Sequence, residues 1–396
     1  KSGKFVGPVD VKKIAQSVGK TSRKTCGACH FFGGGGDAVK HGDLDSSMTN
    51  PPRYLDVHMD AKGLNFTCST CHQSDGHEVA GSRVSLSAGD ASNPIKRGEK
   101  NVSAMGRNVA SCQACHGNTP HGAAKAKDGK AVDTGRMAKL DQHTDKLACP
   151  TCHVPEFARG GVATKMSWDW STATRKDENG KPLQIKDSAG RPAYDAKKGD
   201  FTWEKDVIPE YRWLNGKSRY VVMGDQIDPT KLVEINRFEG EAGAPDSRIW
   251  PLKVHRGKQP YDTENKTLAV MHTFGADDTA LWKNYDFAKS IEEGMRVAGL
   301  PYSGKFDFVA TEMSWPITHM VAPKEDALRC TQCHTRNGRL AGVDGVYIPG
   351  QHRIATLDAA GFGIALLALL GVLGHGGIRY LAWRRNGGNH GGRKAH

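Results

Sequence analysis

All ten cysteines of this 396-residue chain fall in one arrangement, Cys-x-x-Cys-His. The five copies are Cys26/Cys29/His30, Cys68/Cys71/His72, Cys112/Cys115/His116, Cys149/Cys152/His153 and Cys330/Cys333/His334. Thiols three positions apart lie on one side of a helical turn. From there both reach the two vinyl groups of a single haem, and the next residue, the histidine, points at the iron as an axial ligand. Structural zinc is the competing use of paired Cys-x-x-Cys units. Five units do not divide into four-cysteine sites, and a histidine follows every one. With all five sites filled, no thiol remains for an intrachain disulfide. The expected chemistry is electron transfer by five covalently attached haems c.

Each iron also needs a second axial ligand or an open face. A second histidine makes a closed centre that passes electrons, whereas reactivity needs a vacant or weakly held position. Outside the motifs and ahead of an apolar C-terminal run lie His41, His58, His77, His121, His143, His255, His272, His319 and His352. We rank His41, His58, His121, His143 and His319 first as distal ligands, then His255 and His77. This surplus over five irons predicts that the chain also ligates haems it does not itself attach. Lys40, beside His41, is a further nitrogen donor. The Gly33–Gly36 run before it would let backbone pass close to a flat haem face. The stretch from Lys253 to Asp262 is basic and reads as a turn able to receive an anionic substrate, or as a plain solvated loop.

The elements that must position these groups are less distinct. Between the first four motifs lie Gly, Asn, Pro, Lys and Asp with few apolar runs, so haems are expected to supply the apolar surface around which short helices and loops wrap. A short helix is predicted around Val11–Val18. A polar loop or hairpin is predicted over 175–200. A helix is predicted over 277–298, with Gly299 as its cap. Six of the eight tryptophans lie between Trp168 and Trp282, and are expected to pack the core of a haem-free lobe.

From Ala359 to Tyr380 the chain reads AAGFGIALLALLGVLGHGGIRY. At the helical rise this spans roughly 33 Å, enough for a bilayer core. Arginines at and after its end, Arg379, Arg384, Arg385 and Arg393, place the C-terminus in the cytoplasm and the haem region outside. The divisions expected are a four-haem region at 1–153, a tryptophan-rich lobe at 154–329, a fifth haem segment at 330–353, an anchor at 354–385 and a basic cytoplasmic tail at 386–396. The fold class expected is mainly α with extensive loops, organised by packed haems, plus one C-terminal transmembrane helix. The location expected is the inner membrane with a periplasmic haem domain. Lys1–Phe5 is no apolar signal region, so the signal has been removed or the chain starts inside a longer precursor. The formal charge of +12 would suggest nucleic acid. Five haems bring roughly ten propionate charges, however, and no nucleic-acid motif is present.

Several long runs resemble the octahaem c-type cytochromes of the tetrathionate reductase family: CGACHFFGGGGDAVKHGDL (26–44), DVHMDAKGLNFTCSTCH (56–72), FARGGVATKMSWDWS (157–171), VHRGKQPYD (254–262), GLPYSG (299–304) and EMSWPITHMVAPKEDALRCTQCH (312–334). The resemblance implies a helical, haem-packed periplasmic protein associated with reduction of tetrathionate, nitrite or hydroxylamine. It implies bis-histidine ligation of seven haems and a lysine on the catalytic one. By position that lysine is Lys40, with His41 serving a different haem. The five motifs correspond to the family's last five. Three further haems, the catalytic one among them, are then expected on a partner chain, or lost. The C-terminal helix implies a quinol-oxidising or cytochrome b partner in the membrane.

Overall fold

The computed structural model describes residues 10–16, 18–72, 74–75, 78–79, 112–117, 119–122, 134–216, 218–352 and 354–385. His77 and the tail at 386–396 lie outside them. Two compact units are present: Lys1–Arg329 with Gly342–Gly345, and Cys330–Ala341 with Val346–His396.

The first unit is not mainly α. It holds a nine-stranded mixed sheet, and the described structure as a whole is 30% helical and 21% strand. We label the strands β1 (Thr164–Asp169), β2 (Gln184–Lys186), β3 (Pro192–Asp195), β4 (Gly199–Glu204), β5 (Glu210–Leu214), β6 (Val233–Glu234), β7 (Arg248–Asp262), β8 (Thr267–Leu268) and β9 (Phe306–Pro316). Their order is β2-β3-β4-β1-β7-β9-β6, with β5 and β8 also pairing with β7.

The organising strand is β7, which contains the stretch expected to be a turn. It runs antiparallel to β9 from Leu252↔Pro316 to Asp262↔Phe306, and parallel to β1 at Arg256↔Ser167. Gly257 and Pro260 are the residues that suggest a turn. Here Gly257 lets β1 approach: a Cβ at that position would sit 2.5 Å from the Trp168 carbonyl oxygen. Pro260 has no N–H to place, and its carbonyl accepts from Ala269 N. From Arg248 to Val254 every residue is buried. That run is covered on both faces, which removes the alternation by which a strand is usually recognised.

Trp250 is fully buried in a cluster with Ala148, Leu214, Leu252 and Val254. The other tryptophans of the lobe are only half-buried. The segment 175–200 forms the β2–β3–β4 hairpins. The helix expected over 277–298 is broken. Leu281–Asn284 ends at Tyr285 in the left-handed region (φ 59°). A second helix, Phe287–Ala298, starts on the Asp286 cap and ends at Gly299 (φ 67°). Near the N-terminus, the helix is Val11–Gln16.

The second unit carries the fifth Cys-x-x-Cys turn and one 31-residue helix, Ala355–Arg385. It is long and apolar enough to cross a membrane.

Candidate haem sites

Each of the five motifs lies on a short helix: Arg23–His30, Cys68–Cys71, Cys112–His116, Cys149–His153 and Cys330–Cys333. The first is capped by Ser22, whose hydroxyl accepts from Thr25 N, and the fourth has Pro150 in its first turn, where its missing N–H is not needed. Attachment sites are close together. Cys68 is hydrogen-bonded to Cys26 of the preceding motif. Burial and that neighbour push the Cys68 thiol up to about 11.

None of the ten cysteines is joined in a disulfide, but the five thiol pairs are not equivalent, as the repeated motif alone would have them. In the first three motifs the second cysteine is exposed (Cys29, Cys71 and Cys115), while the first is half-buried (Cys26, Cys68 and Cys112). The first helix buries Arg23 and Gly27, and Cys29, two positions past Gly27, falls on the opposite side of the turn. In the fourth motif both Cys149 and Cys152 are half-buried. The chain ahead of the fifth motif covers this turn: Leu328 N donates to the Cys152 carbonyl at 2.9 Å, and Ala322 N to the His153 carbonyl at 2.8 Å. The fifth motif reverses the order, with Cys330 exposed and Cys333 half-buried. Cys29 and Cys152 thus hold the same place in the motif and different surroundings in the fold.

Histidines distant in sequence meet in pairs. His58 and His116 have ring centroids 6.0 Å apart, His72 and His319 6.2 Å, and His121 and His153 6.3 Å. Two metal–nitrogen bonds of about 2 Å, with each ring centre roughly 1 Å further on, need about 6 Å between centroids. The three pairs stand at the separation that two imidazoles sharing one iron would have. Burial, with the charges of His121, His116 and His58 and against that of Cys112, lowers the His153 pKa, so the third and fourth sites are neighbours.

The ring tautomers agree with this use. His319 Nδ1 lies 3.1 Å from Asp43 Oδ2, which also accepts from Thr318 N at 2.8 Å and His319 N at 2.9 Å. Burial alone would raise Asp43. Its hydrogen bond to His319 and the charges of His319 and His41 hold it well below the usual carboxylate range instead. An ionised carboxylate only accepts, so Nδ1 carries a proton and, on a neutral ring, Nε2 is bare. His121 Nδ1 is likewise 3.0 Å from Asp141 Oδ1. His143 Nδ1 donates to the Lys139 carbonyl at 2.6 Å, and His334 Nδ1 to the Pro349 carbonyl at 2.9 Å. His352 has the opposite tautomer: its Nδ1 accepts from Ile348 N at 2.9 Å, which leaves the proton on Nε2. His272 spends Nε2 on Asp277 at 3.1 Å. Spacing alone cannot separate these classes of histidine.

His41 and His255 are brought together differently. Both rings stand edge-on to Trp315, at 6.2 and 6.3 Å. Burial, opposed by Asp43 and aided by Lys40, His319 and Lys253, lowers His41 to about 4. Burial, with Lys253 and Lys165, lowers His255 to about 3. Both are neutral at pH 7, the form that binds metal.

Lys40 is exposed beside them. The glycine run makes a turn of its own. It turns back, with Gly34 and Gly35 at φ 81° and 94°, so that Lys40 N donates to Gly33 O at 3.2 Å. From β7 the buried Lys253 ammonium donates to Val39 O at 3.0 Å, Lys40 O at 3.1 Å and Thr164 Oγ1 at 2.5 Å. Burial pushes it down to about 7. Arg256 is held by Glu210 at 2.6 and 3.0 Å. Lys253 and Arg256 of this strand are therefore engaged in holding structure. Sequence reading missed Asp43, Asp141 and the structural role of Lys253, since nothing local marks a residue whose partners are twenty to more than two hundred positions away.

Residues 165–337 match the family described as bacterial cytochrome c. An uncharacterised protein of Archaeoglobus fulgidus is 33% identical over 84 residues, which cover 20% of this chain and 27% of that one. The crystal structure of an octahaem cytochrome c from Shewanella oneidensis superposes with a TM-score of 0.68 at 37% identity, covering 85% of this chain and 68% of that one. The attachment turns, the paired imidazoles and a relative of this identity over most of both chains lead to one conclusion: the chain belongs to the octahaem cytochrome c family, and is a multihaem c-type cytochrome that binds haem c covalently.

Proposed function

We propose that this chain is a membrane-anchored, extracytoplasmic electron carrier with five haems c. It works within a reductase of small sulfur or nitrogen oxyanions, of the tetrathionate reductase type. The observation that carries this reading is the set of three histidine pairs at 6.0, 6.2 and 6.3 Å. Haem, when bound, supplies one-electron iron chemistry. His72 with His319, His116 with His58, and His153 with His121 would hold three of the irons. His30, His143 and His334 serve the remaining irons, and His77 is the remaining distal candidate. The Cys26–Cys68 contact supports electron passage between adjacent centres.

Ala355–Arg385 anchors the chain beside a quinol-oxidising or cytochrome b subunit in the bilayer, with the haem domain in the periplasm. Lys40, His41 and His255 supply ligands to haems attached on another chain that carries the three further motifs. Lys40 faces the iron that takes the anionic substrate.

A second reading is a relay with no catalytic site. The histidine pairs fit it equally, since an iron with two imidazoles has no open face. The two readings separate in the protein purified in detergent with its accompanying subunits. A high-spin ferric signal or a cyanide-dependent spectral change supports the reductase. Fully low-spin, cyanide-inert haems leave only the relay.

A further inference from the structure

The axial histidines divide by what their outer nitrogen donates to. His319 and His121 donate to carboxylates, Asp43 and Asp141. His143 and His334 donate to neutral carbonyls, those of Lys139 and Pro349. A carboxylate draws the Nδ1 proton toward itself and leaves the ring more anionic, so Nε2 becomes a stronger donor. A carbonyl dipole does this less.

We infer that Asp43 and Asp141 are positioning residues that lower the reduction potentials of the two haems bound through His72/His319 and His153/His121, setting them below the carbonyl-backed centres. This rests on the proposed ligation. The reduction concerned adds one electron to ferric iron. No bond is made or broken, and the Nδ1 proton stays in its hydrogen bond. A negative charge on the far side of the imidazole stabilises the more positive ferric state, both directly and through the ligand. The effect is larger for Asp43. Its side chain is 2% exposed and that of Asp141 is 12%, and solvent screens a buried charge least.

Asp43 is also tied to more than one site. Its Oδ2 gathers the Thr318 and His319 amides as well as the ring. Two residues before it stands His41, a donor proposed for another haem. Gly42, between them, lies where a Cβ would come 2.3 Å from the Phe157 ring. The carboxylate thus sets one haem's potential at the point where the Lys40–His41 segment joins it.

The test is a potentiometric titration of the full-length protein in detergent, followed by optical and EPR spectra. D43N and D141N should each raise the potential of one haem, with covalent haem content and low-spin spectra unchanged. D43N should give the larger shift, and D141E should restore the original value. His319→Met and His121→Met test the ligation separately, since a methionine ligand raises the potential of its own haem. If those variants move one haem each while D141N moves none, the inference is overturned and the ligation stands. If the methionine variants also move nothing, the ligation itself is wrong. D141N keeps the test open if D43N fails to accumulate.

Discussion

The ammonium of Lys253 donates to the backbone carbonyl of Lys40, 3.1 Å away, across 213 positions of sequence. With its bonds to Val39 O and Thr164 Oγ1, it fixes the segment that presents Lys40 and His41 to the central strand of the sheet. Lys253→Met keeps the stem and removes the donors. Unsatisfied buried acceptors cost about 1–3 kcal/mol each. The variant should unfold at a lower temperature by circular dichroism, and an unchanged midpoint would show that the segment is held by packing alone.

Lys40 itself should matter to turnover and not to assembly. Lys40→Ala is expected to abolish oxyanion reduction by the intact complex while the covalent haem content, measured by pyridine haemochrome, stays the same. Wild-type turnover in this variant removes Lys40 from the reactive centre.

The pairing of His58 with His116 can be read from a potential. His58→Met replaces one imidazole by a thioether, which raises the potential of a c-type iron. One haem of the protein should shift upward in a redox titration, with its attachment through Cys112 and Cys115 retained. A titration identical to wild type argues against His58 as that ligand.

Lys165 gives a pH dependence. Its ammonium lies over the rings of Phe201 at 3.9 Å, Trp168 at 4.2 Å and Trp203 at 5.2 Å. Burial, with the Lys198 charge, lowers its pKa to about 7, and the ring faces oppose that shift. An unfolded lysine titrates near 10.4. Between those values the unfolded chain binds more protons than the native one, so this residue makes stability rise as pH increases from about 7 toward 10. Lys165→Met should flatten that rise in urea unfolding. An equally steep rise in the variant would show that the rings hold the charge at little cost.

A chain ending at Ile354 lacks the apolar helix. It should leave the membrane fraction and appear as a soluble, fully haem-loaded protein. Retention in washed membranes would point to a tightly held partner instead of Ala355–Arg385 as the anchor.

The five attachment turns and the apolar C-terminal helix were legible because their determinants are local. A Cys-x-x-Cys-His turn needs one helical turn, and a span needs a contiguous apolar run. How far each thiol is covered was not legible, since Cys152 is screened by a segment about 170 positions further on while Cys29 is left open. Nor was the sheet. β7 is a buried run followed by basic residues, and Gly257 and Pro260 imitate a turn. Only the neighbouring backbone of β1 explains the glycine.

The sequence by itself determined where the five Cys-x-x-Cys-His turns lie and how many histidines stand outside them. It left open which donors meet. His72 and His319, 247 positions apart, and His121 and His153, 32 apart, become pairs only when strands and helical turns are packed. The tautomers too were decided in three dimensions, because whether Nε2 is bare depends on what lies behind Nδ1. Asp43 and Asp141 leave it bare on His319 and His121, while the Ile348 amide leaves it protonated on His352. Attachment is a property of adjacent residues, whereas ligation and its tuning are properties of distance in the folded chain.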